Sequence, residues 1–159
     1  NINVGGGCES CEAIHESPIS LDSIKNLCWL PDWNDSGKKL AINGVVYKAD
    51  GTPAPNVIIY VYHTDQTGVY PKKGDETGWG KRHGYIRGWM KTNEKGEYKF
   101  FTLRPAAYPG RQAPEHIHII IKEPGKLVAR GSRWTGLWRG GQDDCGPDGQ
   151  LSDLENPEP

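Results

Sequence analysis

A chain of 159 residues has material for about one domain, and its 35% hydrophobic content includes no apolar run of about eighteen residues, which excludes a membrane-spanning helix. Twenty-one Gly and twelve Pro argue against a helical bundle, because both residues are costly inside helices and punctuate short strands. The net charge of −1 conceals a cationic centre at 38–139 and an acidic end at 140–159. The basic residues are interleaved with turns and form no block, which argues against nucleic acid and reads first as a solvated charged face, with an anionic small molecule as the partner it would suit.

Residues 1–38 carry Gly5 to Gly7, scattered acids, Trp29 and Trp33, with no sustained period of 2 or 3.6, and read as an irregular arm packed on the domain. Cys8 and Cys11 form a CxxC, but Cys28 and Cys145 supply no second one, so a disulfide or free thiols outrank zinc. No hydrophobic leader opens the sequence, yet a processed chain would look the same. The compartment is left open between exported or periplasmic and cytoplasmic.

The first strand is expected over Leu40 to Lys48, where Leu40, Ile42 and Val46 share one parity, ending at the turn Asp50-Gly51. A hairpin-like return bracketed by Pro53 and Pro55 leads into Asn56 to His63, whose apolar and β-branched run suits a strand buried on both faces. Residues 64–84 form a long Gly-rich loop bearing Tyr70, Trp79, Arg82 and His83, and loops of that length are usually functional or disordered. Tyr85 to Thr92, the turn Asn93 to Gly96, and Glu97 to Leu103 read as strand, turn and returning strand. A second loop between Pro105 and Pro109 carries Tyr108, and His116 to Lys122 is the last strand, bounded by Pro114 and Pro124-Gly125. The fold class expected is all-β, a sandwich of antiparallel strands built from hairpins over 39–125, with an arm at 1–38 and a divergent tail at 126–159.

His116 and His118 alternate with isoleucines, so both imidazoles leave one face of a strand about 7 Å apart, which suits two ligands of one metal. An HxH pair alone fits a solvent-facing strand equally well. The apolar surroundings favour a partner such as a metal or a carboxylate. No cysteine or carboxylate is nominated as a further ligand by spacing alone, and each tyrosine taken singly reads as a packing or turn residue.

Residues 40–123 resemble the catalytic core of the intradiol ring-cleavage dioxygenases, through INGVVYKADGTPAPNVIIYVYHTDQTGVYP, GYIRGWMKTNEKGEYKFFTLRPAAYPGR and APEHIHI. The resemblance implies an intradiol dioxygenase/prealbumin-like fold and a single Fe(III) held by Tyr70 of Thr67-Gly68-Val69-Tyr70, Tyr108 of Pro105 to Pro109, His116 and His118. Phenolate suits such a hard ion. It further implies a catecholic substrate and O2, with Tyr108 leaving the metal as it takes a substrate proton, and ring opening to a muconate-type diacid.

The match departs at the arginine that many members carry three residues before the first histidine ligand, where Ala113 stands here. Arg111, two residues earlier, is the candidate for that catalytic role or else a merely solvated side chain, and Gln112 is a poorer candidate. Trp79, Arg82, His83 and Tyr85 are candidates for the pocket mouth or for plain surface loop. Residues 126–159 show no strands of the kind that normally complete such a sandwich, and the incomplete sheet leaves room for a homo-oligomer. Two other readings stand beside this one. A cupin would use Gly110, His116, His118 and Glu123, although strand parity sets Glu123 opposite the histidines. A transthyretin-like binding or spacer module shares the DGxP and GxYxF patterns, which reflect the fold and not the function.

Overall fold

The computed structural model describes residues 10–126 and 130–134. Seven strands dominate: β1 (Leu27–Trp29), β2 (Lys39–Val45), β3 (Ile58–His63), β4 (Arg87–Lys91), β5 (Glu97–Leu103), β6 (Ile117–Lys122) and β7 (Arg130–Trp134). Among the described residues the helical content is one short helix, α1 (Gly80–His83), and a 3-10 turn at Cys11–His15. Strands β1-β5-β2 form one sheet and β4-β3-β6-β7 the other. The all-β expectation therefore holds.

Side-chain parity explains the layering. Strand β3 is buried along its whole length. Its Ile59 and Val61 join Ile117 and Ile119 of β6, Met90 of β4 and Phe100 of β5 in the core between the sheets, with Leu40 and Ile42 of β2 packed against it. Ile58, Tyr60 and Tyr62 leave the opposite face, where Ala13, Ile14 and Ile24 cover them together with Ile120 of β6. A residue run that is apolar at both parities has to sit in the middle of a sheet, and β3 does.

Three details differ from the sequence expectation. Consecutive strands change sheets: β2 pairs with β5 and not with β3, and β4 pairs with β3 and not with β5. Pro53 is caught in a local bridge with Tyr47 just before the chain crosses over, and this small return replaces the expected hairpin. Second, the arm contributes structure of its own, since β1 pairs with β5 in parallel, Cys28 opposite Phe100. Asp32, 3% exposed, accepts hydrogen bonds from the Leu103 N–H at 3.0 Å and the Thr102 hydroxyl at 2.8 Å, tying the arm to β5. Third, the tail does supply a strand: β7 adds to β6 antiparallel, Arg133 opposite His118. The Gly- and Arg-rich composition hid it, because backbone pairing to the edge of β6 requires no apolar alternation. Trp138 and the rest of the tail beyond 134 lie outside the described residues.

Cys11 is disulfide-bonded and Cys28 is a free thiol, pushed up to about 11 by burial. Gly88 makes room for it, since a Cβ there would stand 2.9 Å from the Cys28 Sγ.

Candidate metal centre

Two loops and one strand bring four donor side chains together at one end of the β4-β3-β6-β7 sheet. The first loop is built on Asp65, whose carboxylate accepts the Thr67 N–H at 2.8 Å, the Thr67 hydroxyl at 2.7 Å and the Val69 N–H at 3.2 Å. The Asp65 carbonyl also accepts the Ala106 N–H at 3.0 Å, so the loop that carries Tyr70 holds the loop that carries Tyr108. Gly68, at φ +80°, completes the fit: a Cβ on it would run into the Ala107 carbonyl. The second loop is closed at its base by Arg104, which donates from Nε to Glu115 at 2.8 Å.

Strand β6 presents Ile117 and Ile119 to the inter-sheet core and His118 to the opposite face, beneath these loops. His116 stands one residue before the strand. Its Nδ1–H donates to the Pro114 carbonyl at 2.7 Å, which leaves the Nε2 lone pair directed at the cluster. The His118 Nε2 lies 3.0 Å from the Tyr70 hydroxyl, 3.2 Å from the Tyr108 hydroxyl and 3.1 Å from the His116 Nε2. The two tyrosine hydroxyls are in direct contact with one another.

This arrangement is poor as a hydrogen-bond network and good as a ligand set. The His116 proton is committed to Pro114, so a contact between two imidazole Nε2 atoms uses whatever proton His118 holds there, and two hydroxyls compete for the same atom. Donors about 2.0–2.2 Å from a common ion and at right angles to one another are roughly 3 Å apart, the separation seen here. Among the described residues no group of three or more His, Cys, Asp or Glu side chains could hold a metal, so a metal at this place would depend on the phenolates. Two phenolates supply anionic oxygen to a hard trivalent cation, and the residues present fit such an ion.

An open cavity of about 510 Å³ faces the cluster, lined by Tyr62, Tyr70, Arg82, Tyr108, Arg111 and His118 among others. The Arg111 guanidinium carbon sits 5.6 Å from the centre of the Tyr108 ring, so the side chain that departs from the usual spacing still reaches the cavity. Arg82 and His83 line it too, and Trp79 stacks behind His83 at 5.5 Å. Tyr85 does not join them. It lines a separate small cavity with Asp32, Asp65 and Arg104. Glu123, the fourth member of a cupin-type set, is exposed on another groove with Leu21, Asp22 and Lys122, away from the histidines.

Sequence reasoning missed Tyr62, which stacks on His118 at 4.5 Å with the planes 6° apart, and Glu16 of the arm, which accepts the Trp79 N–H at 2.9 Å. No signal in the sequence marks the first, because its place comes from the pairing of β3 with β6. Tyr62 is the residue of β3 directly opposite His118.

An all-β fold with two tyrosines from loops and two histidines from an HxH strand converging at one end of a sheet defines a class of protein, and the comparisons name it. Residues 14–128, most of the chain, match the family described as Dioxygenase. The chain belongs to the intradiol dioxygenase family. It is 28% identical over 109 residues to catechol 1,2-dioxygenase of Acinetobacter baylyi, covering 57% of this chain and 33% of that one. It is 27% identical over 110 residues to the protocatechuate 3,4-dioxygenase beta chain of Burkholderia cepacia, covering 65% and 46% respectively. The chain thus spans a third to a half of the length of these curated relatives. Among solved structures it resembles the dioxygenase domain of a dioxygenase carbohydrate-binding protein fusion from Streptomyces sp. SirexAA-E, with a TM-score of 0.53, 28% identity and coverage of 66% of this chain and 60% of that one.

Proposed function

We propose that this protein binds Fe(III) through Tyr70, Tyr108, His116 and His118 and opens a catechol-type ring with O2 between its two hydroxylated carbons, giving a muconate-type diacid. The observation that carries the reading is the meeting of four donor atoms, with the His118 Nε2 within 3.2 Å of the other three. Family membership supports the reaction class.

When bound, ferric iron would act as a Lewis acid that lowers the pKa of coordinated phenols and draws electron density from a chelated catecholate, which exposes the ring to O2. Tyr108, carried on a loop and not on a strand, would accept one catechol proton at its phenolate oxygen. Tyr70, held by the Asp65 turn, would stay in place. His116 keeps its Nε2 lone pair available because the Pro114 carbonyl takes the Nδ1 proton. Arg111, on the cavity wall beside Tyr108, would stabilise negative charge that develops on the substrate oxygens. The rings of Tyr62 and Tyr70 give the substrate an aromatic wall.

The test is spectroscopic first and catalytic second. The protein loaded with Fe(III) is expected to show a visible tyrosinate band that weakens in Tyr108→Phe, and to consume O2 with plain or carboxylated catechols as muconate-type product appears. A protein that stays colourless at full iron loading would remove the reading, whereas a coloured protein inert to every catechol would retain the metal site and lose the reaction.

A further inference from the structure

His83 ends α1 and is 1% exposed, and neither the donor set nor the proposed chemistry uses it. Its Nδ1 lies 2.8 Å from the Tyr60 hydroxyl. The positive charge of Arg87 acts on the Tyr60 hydroxyl, and Arg87 is paired with Glu16 at 2.9 Å. The direction of the proton follows from that charge. The guanidinium charge attracts the lone pairs of the Tyr60 oxygen and makes its hydroxyl the better donor, so the Tyr60 proton goes to the His83 Nδ1. The remaining His83 proton sits on Nε2, which is buried and has no hydrogen-bond partner.

A buried donor without an acceptor is costly, and a residue that had only to fill space would avoid it. What the ring does is stack. His83 lies flat on Tyr62, with centroids 3.7 Å apart and planes 8° apart, and Tyr62 lies flat on His118 at 4.5 Å and 6°. The register of the sheet sets Tyr62 opposite His118 on β6, and α1 brings the His83 ring onto Tyr62. The three rings are nearly parallel, with Tyr62 shared between two histidines.

The geometry points to His83 as a positioning residue: anchored by Glu16, Arg87 and Tyr60, its flat ring sets the plane of Tyr62 and, through it, the plane of His118, the donor that touches the other three. The inference rests on reading the four donors as a metal site, and it makes the arm part of that site, because the anchor begins at Glu16. Groups that orient a metal-bound histidine from behind are commonly worth about 10–100-fold in metal affinity or activity.

Two variants separate stacking from packing and from the nitrogen. His83→Phe keeps a flat ring without either nitrogen, and His83→Leu fills similar space without a flat face. The first measurement is the order of the His118 ring in the metal-free protein, read by NMR of carbon-labelled histidine. The second is Fe(III) affinity by competition with a chelator, together with the position and width of the visible band. His83→Leu is expected to increase His118 ring motion, broaden the band and weaken iron binding by about 10–100-fold, while His83→Phe stays near the parent in all three. Equal behaviour of the two variants, whether both unimpaired or both impaired, would overturn the stacking role. A parent protein that fails to bind iron would count against the metal reading, and the ring-order comparison would then decide the positioning role by itself.

Discussion

Buried among Tyr60, Tyr62 and Trp79 and faced by Arg87 and Arg82, His83 is held neutral: burial first, then the two guanidinium charges, pushes its pKa down to about 4 from an ordinary 6.5. His63, 1% exposed, is lowered by burial in the same way, against the opposing pull of the Thr64 carbonyl and Asp32. The sign of the consequence is fixed. Between pH 6.5 and 4 the unfolded chain binds a proton at His83 that the folded chain refuses, so stability is full above about 6.5 and falls as pH drops toward 4. Urea midpoints of the metal-free protein at pH 7.5, 6 and 4.5 should therefore decline, and His83→Gln, which has nothing to protonate, should flatten part of that decline. A decline of the same slope in the variant would place its origin elsewhere. At this scale the sequence was legible for chemistry and silent on environment. His116 and His118 stood out by spacing, and Tyr70 and Tyr108 only through the family resemblance, whereas Tyr62 and Glu16 read as strand filler and as one acid among many. Their role depends on which element each one faces.

Strand β6 and the two loops above it carry the site as elements. Ile119, 9% exposed, anchors β6 in the inter-sheet core while the next residue but one toward the N-terminus, Ile117, does the same on the same face, and His118 rides between them on the other. Truncating Ile119 to Ala should cost about 2–5 kcal/mol, the usual range for emptying a core site of that size, measured by urea denaturation. A loss below about 0.5 kcal/mol, typical of a surface position, would show that the strand is not held by this face. The loops are coupled by backbone contacts. Gly68 takes a left-handed φ of +80° and leaves room for the Ala107 carbonyl, so Gly68→Ala should strain both loops at once. The expected result is destabilisation of about 1–3 kcal/mol, the cost typical of a side chain in that region, with a weaker visible band because Tyr70 and Tyr108 no longer approach together. An unchanged band in a folded Gly68→Ala protein would mean that the two tyrosines are set independently. For the five strands the sequence marks, β2 to β6, the boundaries were legible to within three residues. Pairing was not: Glu97–Leu103 was read correctly as a strand, but its neighbours proved to be β1 and β2 and not the preceding strand β4.

The whole molecule depends on its arm. Residues before Lys39 provide β1 at the sheet edge, the Asp32 acceptor for Leu103 and Thr102, and the Ala13, Ile14 and Ile24 cover over Tyr60 and Tyr62. A chain begun at Lys39 should consequently lose cooperative thermal unfolding and bind a hydrophobic dye, the behaviour of a compact state without fixed packing. Sharp melting near the parent temperature would show that the strands from 39 onward suffice. By itself the sequence determined the fold class, through Gly and Pro placement and period-2 alternation, and offered the His116–His118 pair, because both are properties of local residue order; the tyrosines came only with the resemblance to a family. Only the tertiary structure decided which strands pair, that the arm and residues 130–134 belong to the sheets, and that His83 and Tyr62 stand behind His118. Those facts follow from contacts between segments remote in sequence, where many pairings satisfy the same local pattern and packing selects one.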